Sequence, residues 1–298
     1  MLTALRLCLL TFMLLTASLS SARAQGSTAP RADVPRFDRG EASVTLPAKF
    51  THSHILINTL INGQGPYYLA LDTGASISTA PPAFLSKVLK LDAKTETNPR
   101  KWQYADVDLR FPGLSLTRLR FFTAVDYMAE DGTLICGILG YDFLGRFVLE
   151  IDYFHKTVTL HDPEKYRYSD KNDLAPQTLP FTLEGLTPHL DITLRFKGGR
   201  EATVKAMVDT GAGPALVFTE EAKRRLNIGP GLDGPDIKEA QLGGSIIHVD
   251  SWDTHRPNSL SRPPFSFDVL LGNAAFENMK VVFDYANRRM ITAYPFKN

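Results

Sequence analysis

The sequence is nearly without cysteine: of 298 residues only Cys8 and Cys136 are Cys. Cys8 lies in a leading segment read below as removable. Cys136 then stands alone, which excludes an internal disulfide and a cysteine-based metal cluster. It sits within the apolar run of residues 134–139 and reads as a small buried hydrophobe rather than a reactive thiol. A charge excess is also missing. The formal net charge is +1, so nothing in the electrostatics favours nucleic acid or an anionic membrane as partner. No apolar run reaches the roughly 20 residues that span a bilayer. Neither Ser76 nor Ser245 has the G-x-S-x-G context of a serine hydrolase. His52 and His54 could share a strand face, but no further ligand follows at useful spacing, so neither a metal nor another cofactor is expected.

The leading residues differ from the rest. Arg6 is followed by an apolar stretch over residues 7–19 and by Ala22-Arg23-Ala24, with small residues at both positions of an A-x-A site. This is the three-part layout of a secretory signal peptide over residues 1–24. The expected product is an exported protein, periplasmic or secreted, with no membrane span in the mature chain. Residues 25–44 are polar and contain proline, and are expected to be a flexible N-terminal segment.

What the sequence does contain is a repeat. Residues 69–76 read LALDTGAS and residues 206–213 read AMVDTGAG. Each phrase follows a hairpin pattern, with Asn62-Gly63 in one turn and Gly198-Gly199 in the other. Each precedes a short helical pattern, over residues 82–89 and 219–226, the second headed by Thr219 as a candidate cap. Further on, Ile138-Leu139-Gly140 and Leu270-Leu271-Gly272 each lead to a strand ending in Asp-Tyr, at Asp152-Tyr153 and Asp284-Tyr285. The Asp-Thr-Gly aspartates lie 209 − 72 = 137 apart and the glycines 272 − 140 = 132 apart, one order at nearly one offset. Residues 163–177 are polar and read as a linker. The chain is thus expected to form two lobes, 45–162 and 178–298, related by a pseudo-twofold axis.

Each element of the phrase has a physical task. The apolar strand is buried and carries the aspartate to its end. The threonine can hydrogen-bond across to the matching turn, and the glycine lets two backbones approach closely. If the turns meet about a twofold axis, Asp72 and Asp209 face one another. Two carboxylates about 3 Å apart do not both ionise easily, so they share a proton and titrate as a pair. Such a pair can activate water for peptide hydrolysis by general acid–base catalysis. A structural Asx turn explains one copy alone as well; two copies favour the pair. Asp152 and Asp284 are read as turn-bonding residues on return strands.

Taken together, the two D-T-G-A stretches with their downstream apolar-apolar-Gly and helix resemble the retropepsin-like aspartic proteases, which comprise paired-subunit retroviral enzymes and fused two-lobe pepsin-like ones. The resemblance implies an all-β fold of two pseudo-symmetric β-barrel lobes with short helices in a pepsin-like bilobal arrangement. It implies Asp72 and Asp209 as the catalytic dyad, Thr73 and Thr210 as an interlocking pair, Gly74 and Gly211 as turn glycines, and Gly140 and Gly272 as packing glycines beside the dyad loops. A peptide or protein substrate and a monomer are implied with them.

Two departures from the family pattern matter. Ala75 and Ala212 follow the glycines where pepsin-like enzymes carry Ser or Thr. Loss of a donor to the ionised form should raise the dyad's pKa values and give a mildly acidic optimum. The family covers its cleft with a Gly-tipped hairpin. In the second lobe, residues 240–249 carry the Gly-Gly tip, so Gly243, Gly244 and Ser245 are the candidate substrate-binding flap; residues 95–104 of the first lobe have no such tip. Trp102 and Trp252 line the cleft or pack in the core. The alternative function is a peptide-binding protein on the same scaffold that does not cut. A third arrangement, in which two copies each use one lobe, is made unnecessary by the internal duplication.

Overall fold

The structure, a computed structural model, describes residues 34–97, 101–124, 127–129, 131–169, 171, 173–228, 237–247 and 266–295. The signal-peptide segment and Trp252 lie outside the described residues.

The first lobe is built on strands β1 (Ser43–Leu46), β2 (Ile55–Ile61), β3 (Gln64–Leu71), β4 (Gln103–Phe111), β5 (Leu114–Thr123), β6 (Gly137–Leu139), β7 (Val148–Asp152) and β8 (Thr157–His161). The β2–β3 hairpin turns on Asn62 and Gly63, both at positive φ (51° and 75°), as a two-residue turn matching the strands' right-handed twist requires. β3 pairs antiparallel with β2 and parallel with β6, setting Leu69, Ala70 and Leu71 beside Gly137, Ile138 and Leu139. β2 continues onto β4, β4 onto β5, β5 onto the two residues Thr79–Ala80, and those onto β6. The ladder returns to its start, a barrel around Ile57, Leu69, Leu71, Phe111 and Phe121.

The second lobe repeats the plan with β9 (Asp173–Pro180), β10 (Thr187–Phe196), β11 (Glu201–Val208), helix α1 (Glu220–Leu226), β12 (Ile237–Leu242), β13 (Ser245–Ile247), β14 (Val269–Leu271), β15 (Lys280–Asp284) and β16 (Arg289–Pro295). β11 lies between β10 and β14, parallel to the latter through Ala206↔Val269 and Val208↔Leu271. Thr219 caps α1, its Oγ1 accepting from Ala222 N at 3.1 Å. The matching first-lobe segment, Phe84–Val88, is a wider turn in which Leu89 N donates to Phe84 O at 3.0 Å.

A six-stranded sheet joins the lobes in the order β9-β16-β15-β7-β8-β1. Its centre is the antiparallel pair β7 and β15, with Val148 opposite Asp284 and Asp152 opposite Lys280. Residues 132 apart therefore exchange places about that centre. The molecule is all-β with two lobes, as the resemblance implied.

Three expectations need correction. Of residues 25–44, expected to be flexible, 25–33 lie outside the described residues, but Arg36–Phe37 pairs with Ser115 and Leu114, and Phe37 meets the Phe147 ring edge-on at 6.3 Å. Asp38 holds Arg110 through both carboxylate oxygens. The strand β1 follows with Leu46 buried; the anchoring comes from a few contacts too sparse to show as periodicity. Residues 163–177 were read as linker, but β9 starts at Asp173, which is buried, ion-paired to Lys280 at 2.6 Å and accepts from Tyr168 Oη at 2.8 Å. A strand anchored by a buried ion pair has no apolar signature.

The third concerns the flap. Gly243 and Gly244 do form the tip of the β12–β13 hairpin. That tip rests on Gln177 and Leu179 of the inter-lobe sheet: Gly244 N donates to Gln177 Oε1, and Gln177 Nε2 donates to Ser245 Oγ at 3.3 Å. Since β12 pairs with β10 as β4 pairs with β2, the hairpin matches β4–β5 of the first lobe, whose Gly113 rests on Val44 of β1 in the same way. The Gly-Gly turn is thus a foot on the base sheet, not a cover over the dyad. In the first lobe, where residues 95–104 lack a Gly-Gly tip, Lys94–Thr95 pairs with Tyr104 and Gln103.

Candidate active site

Each Asp-Thr-Gly begins where its strand ends. Asp72 N donates to Leu139 O at 3.1 Å, and Asp209 N donates to Leu271 O at 2.9 Å, so the parallel neighbour carries each aspartate one residue beyond the ladder. The turns close through Ala75 N to Asp72 O at 3.3 Å and Ala212 N to Asp209 O at 3.2 Å. The return glycines press against them. A Cβ on Gly140 would lie 2.6 Å from Ile77 O, and one on Gly272 would lie 2.3 Å from Pro214 O. Both obstacles are backbone atoms, so only glycine fits.

The two threonines interlock. Thr73 N donates to Thr210 Oγ1 at 3.1 Å, and Thr210 N donates to Thr73 Oγ1 at 3.0 Å. Each hydroxyl in turn donates to the opposite lobe's strand end, Thr73 to Val208 O at 2.8 Å and Thr210 to Leu71 O at 3.0 Å. Four buried hydrogen bonds at about 1 kcal/mol each pin the turns together. Outside them, Ser76 Oγ donates to Gly185 O, and Gly213 abuts Ser53.

This interlock brings the carboxyl groups into contact. The turn glycines leave room for them: a Cβ on Gly74 would lie 2.6 Å from Asp209 Cγ, and one on Gly211 would lie 2.7 Å from Asp72 Cγ. Asp72 is 3% exposed and Asp209 0%. Burial pushes Asp72 up to about 6, against the pull of hydrogen bonds from Asp209 and from the Gly74 and Ala75 amides. Asp209 is raised well above the ordinary carboxylate range by burial, by the charge of Asp72 and by the hydrogen bond between them. Such a pair retains one proton at pH values where lone carboxylates have lost theirs. Asp72 Oδ1 and Asp209 Oδ2 are buried and have no hydrogen-bond partner.

Counting back by two along each strand gives the residues that share the aspartates' face. In the first lobe Ala70 and Tyr68 meet Leu56 and Ile138, with Ala129 and Ile135, in an apolar cluster. In the second, Met207 joins Leu270, Val217, Phe267 and Ala212. Opposite Met207 lies His189, 2% exposed, its Nε2 beside Thr187 Oγ1 at 2.9 Å. Trp102 packs edge-on to Phe122 at 5.4 Å.

Asp152 and Asp284 close the inter-lobe strands. Asp152 bonds His155, and Asp284 bonds Asn287 and Arg289. Among the described residues no group of three His, Cys, Asp or Glu side chains is arranged to hold a metal.

Sequence reasoning passed over Asn273 and Tyr153. Asn273 Nδ2 donates to Thr210 O at 2.7 Å and to Ser53 O at 3.0 Å, and its Oδ1 accepts from Tyr153 Oη at 2.8 Å. The available signal was a break in the repeat, since Tyr141 follows Gly140 where Asn273 follows Gly272.

No family model matches the sequence, and no curated protein matches it. Among solved structures it is similar to an aspartic proteinase from Irpex lacteus, with 13% identity over 85% of this chain and 98% of that one, at a TM-score of 0.53. At that identity the likeness establishes the fold alone: the chain has the bilobal all-β fold of that proteinase.

Proposed function

We propose that the protein is an exported aspartic endopeptidase whose catalytic dyad is Asp72 and Asp209. The observation that carries this reading is two buried carboxyl groups, 137 residues apart in the chain and one from each lobe, held together by reciprocal threonine bonds; burial and their proximity raise both above the ordinary carboxylate range, as sharing of one proton requires.

Asp72, held by the Gly74 and Ala75 amides where Asp209 has the Gly211 amide, serves as the base. It takes a proton from a water bound at the two unpartnered oxygens as the water oxygen attacks the scissile carbonyl carbon. The proton of Asp209 passes to the carbonyl oxygen, giving a neutral tetrahedral diol. Asp72 then returns its proton to the amide nitrogen, the C–N bond breaks, and one hydroxyl proton of the collapsing diol restores Asp209. The chemistry calls on neither a covalent intermediate nor a metal. The apolar clusters on the aspartates' faces of β3 and β11 would receive the side chains flanking the bond.

The test is cleavage of a mixed peptide library by the mature protein from pH 3 to 8. The reading expects a bell-shaped profile with its acid limb near pH 6, and loss of cleavage in Asp72→Asn and in Asp209→Asn. Equal peptide binding by all three proteins without cleavage would identify a binder instead. Cleavage that survives both substitutions would remove the dyad. Export is checked on the same preparation, from the N-terminal mass of the protein recovered outside the cytoplasm: Gln25 is expected to be the first residue.

A further inference from the structure

We propose that Asn273 is a positioning residue that holds the Asp209 half of the dyad in place and makes the two halves unequal. This inference rests on the proteolytic reading.

The argument begins with one peptide group. The Thr210 carbonyl and the Gly211 amide belong to the same planar unit. Its N–H end donates to Asp209 Oδ1 at 2.8 Å. Its C=O end accepts from Asn273 Nδ2 at 2.7 Å. A donor at the carbonyl of an amide polarises it and strengthens its N–H as a donor, so the bond from Asn273 is felt at Asp209 through a rigid link. The ionised form of Asp209 gains from the stronger donor.

Asn273 is itself over-determined. It is 6% exposed, and its amide uses both N–H groups and its oxygen. The partners span the molecule: Ser53 O belongs to the first lobe, Thr210 O to the second, and Tyr153 stands at the end of β7 in the inter-lobe sheet. The backbone adds Asn273 N to Ala212 O at 2.8 Å. The Asp209 turn is therefore fixed by both lobes and the base together.

Among the described residues the first lobe shows no equivalent. Tyr141 occupies the matching position, and its ring lies edge-on to Tyr285 at 5.4 Å. The Tyr285 hydroxyl, counterpart of the Tyr153 hydroxyl, is buried with no hydrogen-bond partner. Asp72 keeps its turn amides, and among the hydrogen bonds of the described residues no side-chain donor of this kind stands behind them.

The experiment compares Asn273→Ala and Tyr153→Phe with wild type, using Tyr141→Phe as the first-lobe control. For Asn273→Ala the expected result is a fall in kcat of roughly tenfold with KM unchanged within about twofold, and an alkaline limb, set by loss of the Asp209 proton, moved up by a few tenths of a pH unit. Tyr153→Phe, which frees the amide without removing it, should show the same changes at smaller size. Tyr141→Phe should leave the profile where it is. An effect on stability alone, with kcat and the limb unchanged in both variants, would overturn the proposal. If Asn273→Ala does not fold, Tyr153→Phe decides.

A second readout needs no activity: Cγ resonances of the dyad aspartates, followed through a pH titration. The midpoint of the pair should rise in Asn273→Ala, and an unmoved midpoint would overturn the inference. Failure of the wild type to cleave any peptide would count against the protease reading while this titration still judged Asn273.

Discussion

The first lobe closes its ladder into a barrel, whereas among the described residues of the second the ladder runs only from Leu216–Phe218 to β13. The hairpin turns, the segments after the aspartates and the residues after the return glycines differ as well. The Asp-Thr-Gly turn, the threonine interlock, the return glycine and the central strand of the base sheet, by contrast, superimpose in their contacts almost bond for bond. What the two copies share is the set of contacts a meeting about a twofold axis requires of each partner. What differs lies outside that set or, in Asn273 against Tyr141, makes the two halves of the meeting point unequal.

The strongest way to break this comparison is to remove the room that both turns leave. Gly74→Ala and Gly211→Ala each put a methyl group into the opposite carboxyl. Each should lower kcat/KM by 10³-fold or more, with comparable losses from the two sides, because a displaced dyad cannot share its proton. A large loss from one side only would show that the halves are not interchangeable here. Next come the threonines. Thr73→Val and Thr210→Val each delete two inter-lobe bonds and strand buried partners, so each should cost about 2–4 kcal/mol of stability in denaturant unfolding. Additive losses in the double variant would contradict a reciprocal interlock, whose bonds fail together.

The lobes also differ in how they respond to acid. His189 has no titratable counterpart in the first-lobe cluster, where Leu56 stands opposite Ala70. Burial pushes it down to about 4, with Glu184 pulling it up and Lys205 pushing it further down. A histidine with a depressed folded pKa contributes stability that is present above its unfolded value near 6.5 and is lost as pH falls through about 4. The dyad acts in the opposite sense: the raised value of Asp72 adds stability that is present below about 4 and lost as pH rises through about 6. Thermal melts from pH 7 to pH 4 should therefore flatten or rise in His189→Gln relative to wild type, by about 2 kcal/mol at the acid end. Identical pH dependence in the two proteins would remove His189 from the account. The smallest effect is expected at the hairpin foot. Gly243 has φ +60°, and a Cβ there would lie 2.5 Å from Gln177 Oε1. Gly243→Ala should cost about 1–2 kcal/mol and leave kcat/KM within twofold. A collapse of kcat/KM would restore the turn as a cover on substrate.

Much of the fold was legible because the repeat is written in residues whose geometry is narrow. Asp-Thr-Gly after an apolar strand and glycine after two apolar residues admit few backbones, and their order gave two lobes and the dyad. The hairpin assignment failed at Gly243 because Gly-Gly between apolar residues specifies a turn but not which of two successive hairpins carries it; pairing with β10 decides that, and pairing is non-local. The strands over residues 36–37 and from Asp173 were hidden because one aromatic contact and two ion pairs hold them in place of a run of apolar residues. Asn273 was visible as a letter, but its role depends on three partners 63 to 220 residues distant.

The central claim is that Asp72 and Asp209 hold one proton between them. It is tested most directly by ¹³C titration of the aspartate carboxyl groups in the intact protein, assigned with Asp72→Asn and Asp209→Asn. The account predicts that the pair keeps a single proton at neutral pH, that one step falls near pH 6, and that either substitution changes the titration of the remaining partner. Two independent carboxyl groups, both ionised by pH 5 and each indifferent to loss of the other, would contradict it.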